Sequence, residues 1–431
     1  MKLNVKRTAL VGLAFMAISA FWQLYDFSVP LMLKNTFQVS DTWAGVVMAL
    51  DNILALFLLP LFGALSDRVN TPLGRRIPFI LGGTVAAAVL MNLIPRMTVL
   101  PTFIAALLLL LVVMGTFRSP AVALMPDVTP KPLRSKGNAV INLMGAVGGV
   151  IVLALVNFAV QKVTGADGTE HSDYSLLFLI VSSMMLLCAI VLTATVRENR
   201  LRTEMEAIHY GETEAETVSV RSGDTGRLDP AVLRSLVLIL CSVSLWYMGY
   251  NAVTSAFSKY AVNRLGVTEG AAANCVLAAT VFAILSYWPV GLISSRLGRK
   301  RVIQCGILML AAGFGAAALF TAMSPLMYVL FALIGIGWAS INVNSFPMVV
   351  ELATGADTGK YTGLYYTFSM AAQVLTPVLS GALLEHVGYW TLFVYAAVCV
   401  LGSFATMCLV CHGDSKPEAK RGLEALDVGD D

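Results

Sequence analysis

Long apolar runs separated by short polar stretches recur along the whole chain, and their length sets the first reading. A bilayer core is about 30 Å thick and a helix rises about 1.5 Å per residue, so one crossing takes about 20 apolar residues. Runs of that kind cover 8–31, 42–65, 78–95, 101–125, 138–160, 174–196, 234–257, 271–294, 302–322, 326–350, 361–384 and 388–411. The pattern predicts an all-α membrane protein of twelve transmembrane helices. One long polar segment, 197–233, rich in Arg, Glu, Gly and Ser, interrupts the series. It divides the chain into an N-terminal six-helix bundle (1–196), a linker loop (197–233), a C-terminal six-helix bundle (234–411) and a tail (412–431).

The two halves echo each other in one register. Tyr25-Asp26, with Lys34 eight residues beyond Asp26, is matched by Tyr250-Asn251 with Lys259 eight beyond Asn251. Ser66-Asp67-Arg68 followed by Gly74-Arg75-Arg76 is matched by Ser294-Ser295-Arg296 followed by Gly298-Arg299-Lys300. Pro120, Asp127 and Lys136 are matched by Pro347, Glu351 and Lys360, so all offsets fall between 224 and 228. Duplicated helical halves mark many transporter folds, with the substrate near mid-membrane between the halves.

Composition agrees: 57% of residues are hydrophobic and 13% charged, against about 25% charged in soluble chains. The net charge of +3 says less than its distribution. With the N-terminus inside, the inner loops receive Lys6, Arg7, Arg68, Arg75, Arg76, Lys131, Arg134, Lys136, six Arg of 197–234 and the Arg296–Arg301 cluster. The outer loops receive only Lys34, Arg96, Lys162, Lys259 and Arg264. That bias predicts both termini in the cytoplasm of a plasma membrane, and short loops point to a prokaryotic one. It also accounts for the basic loops without nucleic acid. The first apolar run follows basic residues, as a signal peptide does, but its length, Asp26 and the odd helix count left by cleavage argue against removal.

Intramembrane charge costs about 2.5–3.5 kcal/mol on insertion scales, so Asp26, Asp51 and Arg118 each need a reason. A poorly solvated carboxyl in a helix bundle binds and releases a proton near neutral pH more readily than one in water. Asp51, near the middle of the second span, is therefore the first candidate coupling residue and Asp26 the second. A structural ion pair between helices is the competing reading.

Gly63-Ala64-Leu65-Ser66-Asp67-Arg68, then Gly74-Arg75-Arg76-Ile77-Pro78-Phe79, resembles the major facilitator signature between helices two and three. Its Arg-Arg-x-Pro-Phe ending is similar to the sucrose-transporter branch, near the glycoside-pentoside-hexuronide cation symporters. Ser119-Pro120 through Pro126-Asp127 resembles that branch's fourth helix, and Gly337-Trp338-Ala339, Phe346-Pro347 and Gly363-Leu364 its tenth and eleventh. The chain departs from the plant members at Leu111 and Val122, where those carry an Asp and an Arg; Arg118, one turn before Val122, is a candidate stand-in.

The resemblance implies a major facilitator fold of two pseudo-symmetric bundles, a cavity lined by helices one, four, seven and ten, and alternating access. It implies a sugar or glycoside symporter driven by protons, with no cofactor. Sodium is disfavoured because no tight carboxylate cluster is present to replace its hydration shell. A sugar needs hydrogen-bonding groups for its hydroxyls and flat apolar surface for its ring. Trp22, Gln23 and Tyr25 offer these beside Asp26; Tyr247, Tyr250 and Asn251 on span seven, Trp338 and Asn342 on span ten, Gln373 on span eleven and Arg118 complete the candidate substrate set. Packing between helices is the competing reading of the aromatics. The resemblance further implies a cytoplasmic gate made by Asp67, Arg68, Arg75, Arg76, Asp127, Arg134, Arg296 and Arg299; a topogenic role competes for the arginines.

The remaining motifs carry no chemistry of their own. Cys408-Leu409-Val410-Cys411-His412 spells a haem-attachment motif on the wrong side of the membrane, and the seven cysteines imply no disulfide framework. The four histidines lack metal-ligand spacing. The sequence holds no nucleophile–base constellation and no phosphate loop, so neither an enzyme nor an ATP-driven pump is expected. The expected partners are the bilayer and a small-molecule substrate, and the expected unit is a monomer. Two rival functions stay open: a major facilitator exporter of drugs or metabolites, and a transport-inactive nutrient sensor.

Overall fold

The computed structural model describes residues 3–130, 133–164, 170–205, 230–350, 352 and 358–413. Lys131, Glu351, the 206–229 part of the linker, the tail from 414 and the side chain of Lys360 lie outside the described residues. Twelve helices among those described are long and apolar enough to cross a membrane. They are α1 (Val5–Leu31, continued by a π-helical turn Met32–Thr36), α2 (Asp41–Arg68), α3 (Ile77–Leu93), α4 (Leu100–Asp127), α5 (Arg134–Ala159) and α6 (Ser175–Thr195) in the first half. The second half holds α7 (Pro230–Arg264), α8 (Glu269–Leu297), α9 (Arg299–Ala317), α10 (Leu326–Val350), α11 (Thr358–His386) and α12 (Thr391–Cys408). The chain is a multi-pass integral membrane protein. An even number of crossings puts the start of α1 and the end of α12 at one end of the bundle, here called proximal; the opposite end is distal.

Local chemistry starts these helices where they start. Asn4 caps α1 by accepting the Arg7 N–H at 3.1 Å. Ser40 caps α2 and Thr268 caps α8, each followed by an acid in the first turn, Asp41 and Glu269, where a helix dipole favours negative charge. Proline inside α1 and α11 has a different effect. Pro30 and Pro377 carry no N–H, so the carbonyls of Asp26 and Gln373, four residues earlier, lack their helical donor.

Within the first half α1 packs on α5 and α6, α3 on α4 and α6, and α2 on α4. Within the second, α7 packs on α11 and α12, and α9 and α8 on α10. The halves meet where α2 crosses α11, α5 crosses α8 and α1 passes α7. The α2–α11 crossing is close because Gly45 has no side chain: a Cβ there would lie 2.0 Å from the Pro377 carbonyl oxygen.

That crossing is at the distal end. Asp41, Ala44, Gly45, Met48 and Ala49 of α2 are buried, whereas Leu56, Phe57, Leu61 and Leu65 nearer its proximal end are exposed. Every hydrogen bond and ion pair between the halves among the described contacts also lies distally. The bundle is closed at that end and parts towards the other.

One element was outside the sequence expectation. Gln161–Thr164 (β1) pairs antiparallel with Glu170–Asp173 (β2) in the connection between α5 and α6. Val163 is the one apolar residue in the two four-residue strands, which is too little for an apolar alternation from which a strand could be read. The first part of the linker is also ordered: residues 198–205 are helical.

Candidate functional site

A cavity of about 140 Å³ lies at the seam, lined by Trp22 and Asp26 of α1, Met48, Asp51 and Asn52 of α2, Arg118 of α4, Asn251 of α7, and Gln373 and Pro377 of α11. Residues far apart in sequence meet here because α1, α2 and α4 face α7 and α11 across the halves. The structure thus brings together six of the expected residues: Trp22, Asp26, Asp51, Arg118, Asn251 and Gln373.

The charges are near one another but not locked. Arg118 is within electrostatic reach of both Asp51 and Asp26, yet its guanidinium lies over the Trp22 ring, 5.2 Å from the centroid. A cation above an indole face is attracted by the ring quadrupole. Asp51 Oδ1 accepts the Asn52 side-chain N–H at 2.8 Å. Two buried polar atoms, Trp22 Nε1 and Asn251 Oδ1, have no partner. One is a donor from the first half, the other an acceptor from the second, and buried polar atoms normally find partners.

The other expected substrate residues lie outside this lining. Gln23 faces α5, its Oε1 3.6 Å from where a Gly149 Cβ would stand. Tyr25 is buried, and its hydroxyl donates to the Val47 carbonyl at 3.4 Å. Tyr250 stacks on Trp338 with centroids 3.8 Å apart, and Tyr247 meets the same indole edge-on. Asn342 is half-buried on α10. Asn52, Met48 and Pro377 were not singled out from sequence; the signals available were an amide beside Asp51 and a proline one turn after Gln373.

At the proximal end the loop between α2 and α3 is organised by Arg76. Its Nε donates to Asp127 Oδ2 at 3.0 Å, Nη1 to the Gly63 carbonyl at 3.3 Å and to Ser66 Oγ, and Nη2 to Asp67. Arg75 pairs with Asp127 Oδ1 at 2.8 Å and approaches Asp67 at 3.8 Å. Arg134 donates to the Pro126 carbonyl at 3.0 Å. Arg68 and Arg296 are exposed, and Arg299 is buried. Glu198, just past α6, accepts the backbone N–H groups of Arg75, Arg76 and Ile77 at 2.9–3.0 Å, capping α3. This hub belongs wholly to the first half. In the second half the matching Ser294 donates to Asn344 instead.

The distal end holds a cluster that sequence reasoning missed. Asp41, 2% exposed, pairs with Lys34 at 2.8 Å and with Lys259 at 2.9 Å, and accepts the Tyr389 hydroxyl at 3.1 Å. Burial and the adjacent carboxylate push the Tyr389 hydroxyl well above the usual phenol range, so it stays a donor. Glu385 accepts the Thr42 N–H at 2.9 Å, Asn157 donates to Asn274 at 2.9 Å, and Ser172 donates to Glu269. Asp41 reads from sequence only as a first-turn acid; the echo of Lys34 in Lys259 was the available signal.

The family model described as MFS/sugar transport protein matches residues 10–411. Solved structures share the architecture at low identity. The nucleoside transporter NupG aligns with TM-score 0.66 at 14% identity, over 94% of this chain and 99% of that one. A D-xylose-proton symporter aligns with TM-score 0.64 at 15% identity, over 95% and 98%. A bacterial homologue of the human lysosomal transporter Spinster, in an inward-facing and unoccupied conformation, gives TM-score 0.64 at 14% identity over 95% of each chain. At such identities the likeness carries the fold.

Proposed function

Because the chain belongs to the MFS/sugar transport family of membrane transporters, we propose that it is a proton-coupled symporter of a sugar or glycoside, working by alternating access. The observation that supports this reading is one seam cavity holding two carboxylates, a guanidinium and two unpartnered polar atoms from opposite halves. A polyhydroxylated ligand both donates and accepts, so it suits the Trp22 N–H and the Asn251 oxygen together. The carbonyls of Asp26 and Gln373 add acceptors for hydroxyl protons.

Asp51 is the proposed proton site and Asp26 its neighbour. Ionised, Asp51 draws on the Arg118 charge; protonated, it leaves Arg118 to Asp26 and the ligand. Proton and sugar occupancy are then linked through one guanidinium. On the Lys/Arg distribution the proximal end is cytoplasmic, so the arrangement described is inward-facing. Rocking of the two bundles about the seam would expose the same cavity to the other side. The unit is proposed to act as a monomer in a prokaryotic plasma membrane. The polar lining favours this reading over an exporter of apolar drugs.

Sugar-induced proton movement in proteoliposomes, with mono- and disaccharides screened on wild type beside Asp51→Asn, tests the proposal. Proton uptake in wild type, lost in the variant, is the expected result. Should no sugar move protons with the folded protein, the symport reading fails; an unaltered variant would transfer the coupling role from Asp51 to Asp26.

A further inference from the structure

Two of the distal contacts involve repeat equivalents with different partners. Asp41 opens α2 behind the Ser40 cap, and Glu269 opens α8 behind the Thr268 cap. They lie 228 residues apart, the offset that relates Ser66 to Ser294. Lys34 and Lys259, 225 apart, stand near the ends of the preceding helical segments. Both acids are buried, at 2% and 6% exposure. In the first half the equivalents pair with each other, Lys34 with Asp41 at 2.8 Å. In the second half they do not. Lys259 reaches across the seam to Asp41 at 2.9 Å, and Glu269 accepts from Ser172 of β2, also across the seam.

Lys259 is only 3% exposed, and a buried ammonium is tolerated only beside an anion. Opening the distal end withdraws Asp41, which leaves with Lys34 in its own half. It also withdraws Ser172 from Glu269. The same motion therefore strands one cation and one carboxylate of the second half. Val262, one turn beyond Lys259 on α7, lines a cavity of about 220 Å³ with Glu269 and with Lys162, His171 and Ser172 of the β1–β2 hairpin. The hairpin belongs to the first half, so its cations leave Glu269 together with Ser172. Glu385 is the other carboxylate near Lys259, but it is exposed and stays hydrated without a partner.

We propose that Lys259 changes partner in each transport cycle, from Asp41 when the distal end is closed to Glu269 when it is open. The open second half then repeats the pairing that Lys34 and Asp41 already show in the first. The Lys259 ammonium has a carboxylate beside it in both states, so neither is penalised by an orphaned cation. The exchange rests on alternating access, not on the identity of the sugar or the coupling ion.

The test uses Met48, which lines the central cavity, as a reporter: Met48→Cys in a chain whose seven native cysteines are replaced. A membrane-impermeant maleimide is applied to vesicles from the distal side, and labelling from the proximal side shows that each variant is folded. Glu269→Gln is expected to slow distal labelling by about tenfold or more, since the open state loses the anion for Lys259. In a Lys259→Met background the same change is not expected to slow it. Ser172→Ala, which removes only a closed-state tie, is expected to raise labelling in both backgrounds. Equal slowing by Glu269→Gln in both backgrounds overturns the exchange, and so does the same background-dependent slowing from Glu385→Gln in place of Glu269→Gln. Asp41→Asn strands Lys259 in the closed state and is expected to raise distal labelling. If that variant and wild type label only proximally, alternating access itself fails and the exchange falls with it.

Discussion

The guanidinium of Arg118 sits 5.2 Å above the ring of Trp22, so the indole face that a sugar ring would otherwise cover is already occupied by a cation. Trp22 then serves the site through its edge N–H and through Arg118. Trp22→Phe keeps a ring face and loses the donor and part of the cation–π attraction, worth about 0.5–2 kcal/mol. A weakening of substrate binding by roughly 2- to 30-fold is expected in isothermal titration. Arg118→Lys is expected to lose more, because an ammonium does not reproduce the planar donor fork. Binding as tight as wild type in both variants would remove this pair from the site.

Asn251 Oδ1 is a buried acceptor with no hydrogen-bond partner. Asn251→Leu removes it and is expected to raise KM by about tenfold, the equivalent of about 1.4 kcal/mol. The pH at which transport is half-maximal should not move, since the residue carries no proton. A shifted pH profile with unchanged KM would place Asn251 in coupling instead of recognition.

Glu198 holds three backbone N–H groups at the start of α3. Glu198→Ala is expected to destabilise the folded protein by about 1.5–3 kcal/mol, the range for hydrogen bonds to a charged group, with Glu198→Gln costing less. Gly74→Ala should be comparably damaging, because Gly74 has φ +126° and an added Cβ would lie 2.1 Å from Glu198 Oε2. Thermal unfolding in detergent measures all three; wild-type stability in Gly74→Ala would contradict the tight fit.

Tyr389 donates to Asp41 at the distal end, and its pKa is raised by burial and by that carboxylate. A raised phenol pKa keeps the neutral, donating form through and beyond the ordinary range near about 10. The bond therefore contributes at every working pH and is lost only under stronger alkali. Tyr389→Phe should loosen the distal end by a constant factor from pH 5 to pH 9, measured as distal labelling at Met48→Cys. A factor that shrinks across that range would mean that the hydroxyl titrates within it.

The α2–α11 crossing permits no side chain at Gly45. Gly45→Ala should hold the distal end open, raising distal labelling and slowing turnover while the protein remains folded. Faster turnover in this variant would show that the crossing does not limit closure.

The helices were legible because each crossing needs a long apolar run, a signal few other structures imitate. The hairpin was not, since Gln161–Thr164 and Glu170–Asp173 carry a single apolar residue, Val163, between them. The central cavity was half legible: Asp26, Asp51 and Arg118 announce themselves by their cost in lipid, and Asn251 by its place opposite Asp26 in the repeat. Tyr25, Tyr247, Tyr250 and Trp338 are equally suggestive by type, and only three-dimensional packing separates them from the lining. Asp41 and Glu198 were hidden for another reason. A carboxylate at a helix start or in a polar linker looks ordinary until its partners, hundreds of residues away for Asp41 and over a hundred for Glu198, are placed beside it.

The reach of Glu198 also bears on how the polypeptide is made. Its partners at Arg75–Ile77 precede it by more than 120 residues, so the loop after α2 waits with bare N–H groups while α3 through α6 are inserted. Once residue 198 leaves the ribosome, the proximal side of the first bundle can be completed without any part of the second.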